Sequence, residues 1–315
     1  MNQTVIEFIE KGRAALVHDG APPELQEGQA LVETLYSGVT NGTERHALLT
    51  EHGFGGGFPG RHGYQHIGRV IDVRGEVLGL QAGDLVFCGD YIGHRGWQIV
   101  SDGSLVLPLK GDWPLPASAL LGVAGVAIRA VRRMRVGIGA NVWVVGQGPI
   151  GHFLGQCSRA AGAEVTVSDL LSNRLDAARR AGIETVLDAS DPGVDETLAQ
   201  LGPFDFIFDA CSAPNLLDTV FARRLLAHGG CIGMMAVRRE VTYPWGMLHA
   251  AEARIETSCH YDRGDLRALA SLVRRGIVDM KPIISDILPI SEAPGLYERL
   301  GAGDPNLIGI VFDWT

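Results

Sequence analysis

Short apolar runs cut by glycine and proline fill the first third of the chain. The clearest are Ala30-Leu31-Val32-Glu33-Thr34-Leu35, Gly68-Arg69-Val70-Ile71-Asp72-Val73 and Asp84-Leu85-Val86-Phe87. Their alternation with a period of two, broken by turn residues, predicts a small, mainly antiparallel β domain of barrel-like character. The texture changes near residue 116. Residues 117–135 read as a helix, and from there strands and helices alternate. The predicted strands are 141–145, 164–168, 185–188, 204–209, 231–235 and 254–259, with helices at 151–161, 173–181 and 214–227 between them. Short apolar strands separated by helices predict a parallel sheet covered on both faces. A further helix at 265–275 and strands at 283–287 and 307–312 close the chain.

One strand runs straight into a glycine motif. Val142-Trp143-Val144-Val145 is followed by Gly146-Gln147-Gly148-Pro149-Ile150-Gly151, and then by a helix. In a G-x-G-x-x-G turn the first glycine makes the bend and the second lets backbone meet a pyrophosphate. The third permits close helix packing, and the helix N-terminus offers N–H groups and positive dipole to the phosphates. The next strand ends at Asp169, 23 positions after Gly146. A carboxylate at that spacing accepts hydrogen bonds from an adenosine ribose and repels a 2′-phosphate, so the expected cofactor is NAD rather than NADP. Asp169 has a plainer reading as a strand-end cap. Arg174, five residues on, either assists a phosphate or lies on a solvated helix face.

Composition removes several other functions. The chain has 315 residues, 46% apolar and 20% charged, which suits two packed units and excludes disorder. Its 42 glycines follow no collagen period. A net charge of −9 without a basic stripe argues against nucleic-acid binding. Five cysteines lie far apart with no C-x-x-C pair, so neither a disulfide framework nor a four-cysteine zinc knuckle is expected. No stretch of about 18 apolar residues is present to span a membrane. A cytoplasmic protein acting on a small molecule is the expectation.

Several segments outside the fingerprint carry a resemblance. They are Ser37-Gly38-Val39-Thr40-Asn41-Gly42-Thr43-Glu44, Gly63-Tyr64-Gln65-His66-Ile67-Gly68-Arg69-Val70, Gly83-Asp84-Leu85-Val86, and residues 283–288. With the order of a β unit, a nucleotide unit and a short return, the chain resembles the medium-chain dehydrogenase/reductase superfamily. That resemblance implies a GroES-like catalytic domain over residues 1–122, a Rossmann domain over 123–262, and a return to the first domain over 263–315. It also implies a homodimer in which the strand at 254–259 pairs with its copy. Zinc members carry a cysteine, a His-Glu pair and a third ligand at positions that here read Asn41, Tyr64-Gln65 and approximately Gly122. A catalytic zinc needs three protein ligands, so a zinc-free member is expected. Within the superfamily, Phe208-Asp209-Ala210-Cys211-Ser212-Ala213-Pro214 and the tail Asp304-Pro305 to Phe312-Asp313-Trp314 look like the hydroxyethyl bacteriochlorophyllide dehydrogenases. Those enzymes oxidise a 1-hydroxyethyl substituent to acetyl with NAD, which implies a bulky, apolar substrate here.

Without a metal, a side chain must take the hydroxyl proton as hydride leaves the carbinol carbon. By resemblance Thr43 is the relay hydroxyl, and His46 stands where a histidine passes the proton to solvent. Tyr64 replaces a ligand histidine and is expected to face the substrate oxygen, with Gln65 orienting its neighbours. Plainer readings remain: Thr43 as a turn residue, His46 as a surface histidine, Tyr64 as packed core. His62 and His66, near His46 and His52 in sequence, hint at another metal site, but four-residue spacing aligns ligands only on a helix and this stretch reads as loop into strand. The glycine-rich loop at 53–60, with Phe54 and Phe58, reads as a lid over an apolar substrate, with Trp97, Tyr243, Trp245 and Met247 as candidate cleft residues, or else those side chains are ordinary inter-domain core. Two other functions compete: a zinc-free quinone or enoyl reductase, which Asp169 disfavours, and a non-catalytic NAD(H)-binding protein.

Overall fold

The computed structural model describes residues 3–53, 55 and 57–315. The chain divides into two compact units. The first comprises Met1–Gly122, Asp262–Arg267 and Ile284–Thr315; the second comprises Val123–Tyr261 and Ala268–Ile283. The segment after residue 263 therefore does not return to the first unit as a whole, because residues 268–283 stay with the second.

The first unit contains β1 (Thr4–Glu10), β2 (Arg13–His18), β3 (Gln29–Gly38), α1 (Asn41–Leu49), β4 (His66–Arg74), β5 (Leu85–Cys88), β6 (Trp97–Val100) and β7 (Val106–Pro108). The helix α2 (Leu121–Met134) then leads into the second unit. The chain's last elements, β14 (Ile284–Pro289), α9 (Ala293–Ala302) and β15 (Gly309–Asp313), belong again to the first. Its main sheet runs β14-β15-β3-β4-β5-β7, with β6 also pairing β3, and every pairing but β14 with β15 is antiparallel. One core holds Val32, Val70, Val86 and Val100. Another joins Ile6, Phe8, Leu48, Leu296, Tyr297 and Phe312, so α1, α9 and the β1–β2 hairpin close over the end of the sheet.

The second unit contains β8 (Asn141–Val145), α3 (Pro149–Ala160), β9 (Glu164–Asp169), α4 (Ser172–Arg180), β10 (Thr185–Asp188), α5 (Val194–Leu201), β11 (Phe204–Asp209), α6 (Leu216–Ala222), β12 (Leu226–Met234), α7 (Trp245–Ala251) and β13 (Arg254–Thr257). A further helix, α8 (Arg263–Arg274), crosses the division between the units. The sheet is parallel throughout, in the order β10-β9-β8-β11-β12-β13. This is the doubly wound order whose direction reverses beside the first strand, the place where such sheets bind ligands. Trp143, Phe204, Ile207, Val220 and Ile232 pack one of its cores.

The fold class read from the sequence is the one observed. Some boundaries move. The helix expected over 214–227 stops at Ala222, because Arg224 adopts a positive φ of 54° and releases the chain into β12. That strand starts at Leu226, not at residue 231, and a bulge opposite β11 absorbs the extra length. The sequence pattern assigns no elements at β1, β2, α1, β6, β7, α5, α7 and α9.

Candidate functional site

In the second unit the fingerprint lies at the carboxyl end of β8. Gly146 has φ +89°, and a Cβ there would stand 2.5 Å from the Cβ of Cys211. A Cβ on Gly151 would collide with the Gly146 carbonyl oxygen, so α3 starts hard against the turn. Gly148 is the N-cap of α3, and nothing lies within 4 Å of where its Cβ would be. Pro149 follows, at a helix start whose missing N–H has no cost. The result is an open face of backbone N–H groups over a helix N-terminus, suited to a pyrophosphate. Ile150 continues the first turn. Gly155 keeps α3 low on the sheet, where a Cβ would meet Val167 at 3.3 Å.

Asp169 ends β9 with only 8% exposure. One oxygen accepts from the Gln147 N–H at 2.6 Å and the other from the Leu171 N–H at 2.9 Å, while Arg174 stands 3.5 Å away. The carboxylate thus braces the fingerprint turn, and it keeps lone pairs for a ribose, since a carboxylate offers about four acceptor positions. On the other side of β8, Asp209 ends β11. It accepts from the Cys211 N–H at 3.2 Å and pairs with Arg238 at 2.8 Å. Burial, with Asp209 and Asp169 nearby, pushes the Cys211 thiol up to about 12, so it stays protonated.

The first unit holds a buried polar cluster at the head of α1. Glu44 points inward, accepting from the Thr40 N–H at 2.7 Å and from the Tyr297 hydroxyl at 2.5 Å, with His94 Nε2 at 3.1 Å. His94 Nδ1 lies 2.8 Å from Ser37 Oγ, which also accepts from Trp314 Nε1 at 2.9 Å. Burial alone would raise the Glu44 carboxyl. The charge of His94 and the hydrogen bonds from His94, Thr40 and Tyr297 outweigh it and hold the carboxyl below its ordinary value. His66, the first residue of β4, is fully buried and is pushed down to about 3 by burial and by His94.

The sequence candidates fall around this cluster. Thr43 and His46 lie on α1, one turn apart, rather than in a turn. His46 Nδ1 is 2.8 Å from Glu51, and Arg45 reaches the same carboxylate oxygen at 2.8 Å. Together His46, Glu51 and His52 bring three ligand atoms within 4.8 Å of one another, with the Arg45 cation already there. Tyr64 is buried, at 5% exposure. Gln65 donates to the Thr40 hydroxyl at 3.2 Å, so the side chain it orients on that bond is Thr40. The sequence passed over Tyr91, whose ring stacks on that of Tyr64 with centroids 6.0 Å apart and planes 19° from parallel. Its hydroxyl bonds His62 Nδ1 at 2.8 Å. In the loop at 53–60, Phe58 is exposed and Phe54 lies outside the described residues. Met247, proposed as a cleft residue, is core of the second unit.

A zinc-binding dehydrogenase family model matches residues 149–275, from the start of α3 through α8. The antiparallel β unit and the parallel doubly wound unit in one chain are also the fold of solved alcohol and polyol dehydrogenases, and the chain is similar in sequence to several named dehydrogenases. Among curated relatives, the 2-desacetyl-2-hydroxyethyl bacteriochlorophyllide A dehydrogenase of Cereibacter sphaeroides is 28% identical over 304 residues, covering 91% of each chain. The D-altritol 5-dehydrogenase of Agrobacterium fabrum is 28% identical and covers 98% of each. Among solved structures, an alcohol dehydrogenase from Escherichia coli complexed with NADH superposes with a TM-score of 0.85 at 14% identity, over 99% of both chains.

The positions that the resemblance aligns with zinc ligands are Asn41, Tyr64, Gln65 and Gly122. A Cβ on Gly122 would stand 2.6 Å from Gln65 Oε1 and 2.9 Å from Tyr64 Cε2, so these two side chains pack directly against the Gly122 backbone. Asn41 turns its amide to the carbonyls of Leu307 and Ile308 at 3.2 and 2.9 Å. Asn41, Tyr64, Gln65 and Gly122 provide no thiolate, imidazole or carboxylate among them, the groups that bind catalytic zinc.

Proposed function

We propose that the protein is a zinc-independent, NAD-dependent dehydrogenase that oxidises a secondary alcohol to a ketone, with the hydroxyethyl group of a bacteriochlorophyllide as candidate substrate. The observation that carries this reading is the packing of Tyr64 and Gln65 against Gly122, a phenol and an amide at positions that the resemblance aligns with zinc ligands. The oxidoreductase class, acting on CH–OH groups, agrees with the named dehydrogenases to which the chain is similar. The 28% identity to the Cereibacter sphaeroides enzyme supports the choice of candidate substrate.

NAD, when bound, supplies the hydride acceptor. Gly146, Gly148, Pro149, Ile150 and Gly151 receive its pyrophosphate, and Asp169 receives its ribose hydroxyls. The carboxylate disfavours a 2′-phosphate, and Arg174 beside it lowers that preference without removing it. In the first unit Tyr64 and Thr43 hold the alcohol oxygen, Gln65 fixes Thr40 behind them, and His46, held by Glu51, is the residue first expected to pass the proton to solvent. Proton removal by a placed side chain contributes about 10²–10⁴-fold to such a reaction. The protein acts in the cytoplasm on a bulky, apolar small molecule, and as a homodimer. β13 is the outer strand of its sheet, and an exposed edge needs a partner or a cover.

Turnover tests the reading. Metal-analysed protein is mixed with 3-(1-hydroxyethyl) bacteriochlorophyllide and NAD, and NADH appearance is followed beside the pigment spectrum. Acetyl product from zinc-free protein is the expected outcome. Bound NADH with no oxidation of this or any other secondary alcohol would sink it.

A further inference from the structure

We propose that Tyr91 and His62 form the acid–base pair that removes the alcohol proton, and that it leaves by this route rather than through His46. The proposal rests on the alcohol dehydrogenase reading and assigns its proton path. Tyr64, the tyrosine singled out by sequence, is 5% exposed, whereas Tyr91, stacked on it, is 45% exposed and is the more accessible of the two. Its oxygen is 2.8 Å from His62 Nδ1.

The pair is rigidly placed. The His94 N–H donates to the His62 carbonyl and the Gly93 N–H to the Gly63 carbonyl, both at 3.0 Å, which ties the two loops together. The His62 ring lies on Phe8, with centroids 5.0 Å apart. Gly60 lies close to its far nitrogen, a Cβ there standing 2.9 Å from Nε2, and His62 remains half-buried rather than enclosed. Burial and Glu44 both raise the Tyr91 phenol, so it remains an O–H donor. Burial lowers His62, Glu44 opposes this and His94 adds to it, leaving the ring neutral and able to accept at pH 7. The neighbouring Arg61 is engaged by Glu7 at 3.1 Å and Asp19 at 2.9 Å. By contrast, His46 shares Glu51 with Arg45.

The step balances as follows. The carbinol C–H electron pair leaves as hydride to the oxidised nicotinamide, and the O–H pair becomes the second bond of the carbonyl. The hydroxyl proton passes to the Tyr91 oxygen while the phenolic proton moves to His62 Nδ1. The imidazolium then releases a proton from Nε2 to water.

Tyr91→Phe keeps the stacked ring and removes only the hydroxyl. It should lower kcat about 100-fold, the scale of one acid–base group, with KM within about threefold and NADH affinity by fluorescence unchanged. His62→Asn keeps an acceptor but cannot titrate, and should abolish the acid limb of the pH profile. That limb falls as pH drops through the His62 pKa, because the protonated ring cannot accept. Independent of turnover, nitrogen NMR should show His62 Nδ1 as the unprotonated, hydrogen-bonded nitrogen, shifted by Tyr91→Phe. Tyr91→Phe within twofold of the wild type, an acid limb removed by His46→Ala instead, or an Nδ1 resonance indifferent to Tyr91 would each overturn the pair while leaving the dehydrogenase reading intact. A wild-type protein that oxidises no secondary alcohol would overturn both.

Discussion

Glu44 Oε2 lies 3.1 Å from His94 Nε2, and both side chains are at most 1% exposed. A carboxylate buried so deeply needs the imidazole beside it, because alone it would carry the full penalty of an uncompensated buried charge. Tyr297 and the Thr40 N–H complete the shell around the carboxylate. The pair sits at the head of α1, the helix that also carries Thr43 and His46, so its role is to fix that helix rather than to react.

Glu44→Gln should therefore cost about 3–5 kcal/mol, the usual loss when one member of a buried pair is removed. Urea unfolding at pH 7 measures it, and a loss below 1 kcal/mol would show that the pair does not hold the helix.

The same group sets an acid dependence. The folded-state pKa of Glu44 lies below its ordinary 4.5. Its stabilisation is then present in full above about pH 4.5 and is lost as pH falls through the depressed value. In the wild type, stability should drop on acidification over that window. In Glu44→Gln that component of the drop should vanish. Equal acid slopes for the two proteins would contradict the assignment.

Two glycines of the fingerprint should separate folding from binding. Gly151→Ala drives a methyl into the Gly146 carbonyl, and overpacking of this kind costs about 1–3 kcal/mol or more. A lowered Tm is expected. Gly148→Ala meets nothing within 4 Å, so Tm should hold while the methyl obstructs the pyrophosphate. NADH Kd should rise at least tenfold, or about 1.4 kcal/mol. Unchanged NADH binding in Gly148→Ala would place the phosphates elsewhere.

Asp169→Asn keeps the shape but turns one oxygen that accepts from Gln147 or Leu171 into a donor. NADH affinity should fall about tenfold, and the preference for NAD over NADP should narrow, because repulsion of the 2′-phosphate is gone. Titration of both cofactors by fluorescence reads the two effects. An unaltered cofactor ratio would remove Asp169 from discrimination.

Chelation tests the side chains packed on Gly122. Dialysis against a strong chelator should leave turnover and Tm unchanged. Loss of activity that returns with zinc would mean that a metal is bound by other residues.

Much of the architecture was legible in the chain itself because its causes are local. Strand alternation, helix period and the glycine turn from Gly146 to Gly151 each arise from residues within a few positions of one another. Asp169 follows at the distance that one helix and one strand impose. These were enough for the parallel sheet and for the glycine turn that leads into α3. What the tertiary structure decided is the side-chain company across long separations. Sequence could mark Tyr64 and Gln65 as a pair by resemblance, but only the packed sheet brings Gly122 against them. No spacing rule links Glu44 to His94, 50 positions away, or to Tyr297, 253 positions away. Nor does any link His62 to Tyr91 across 29. Periodicity records which face of an element is buried. Which polar groups meet on those faces depends on how the strands pair and on which loops the backbone hydrogen bonds draw together.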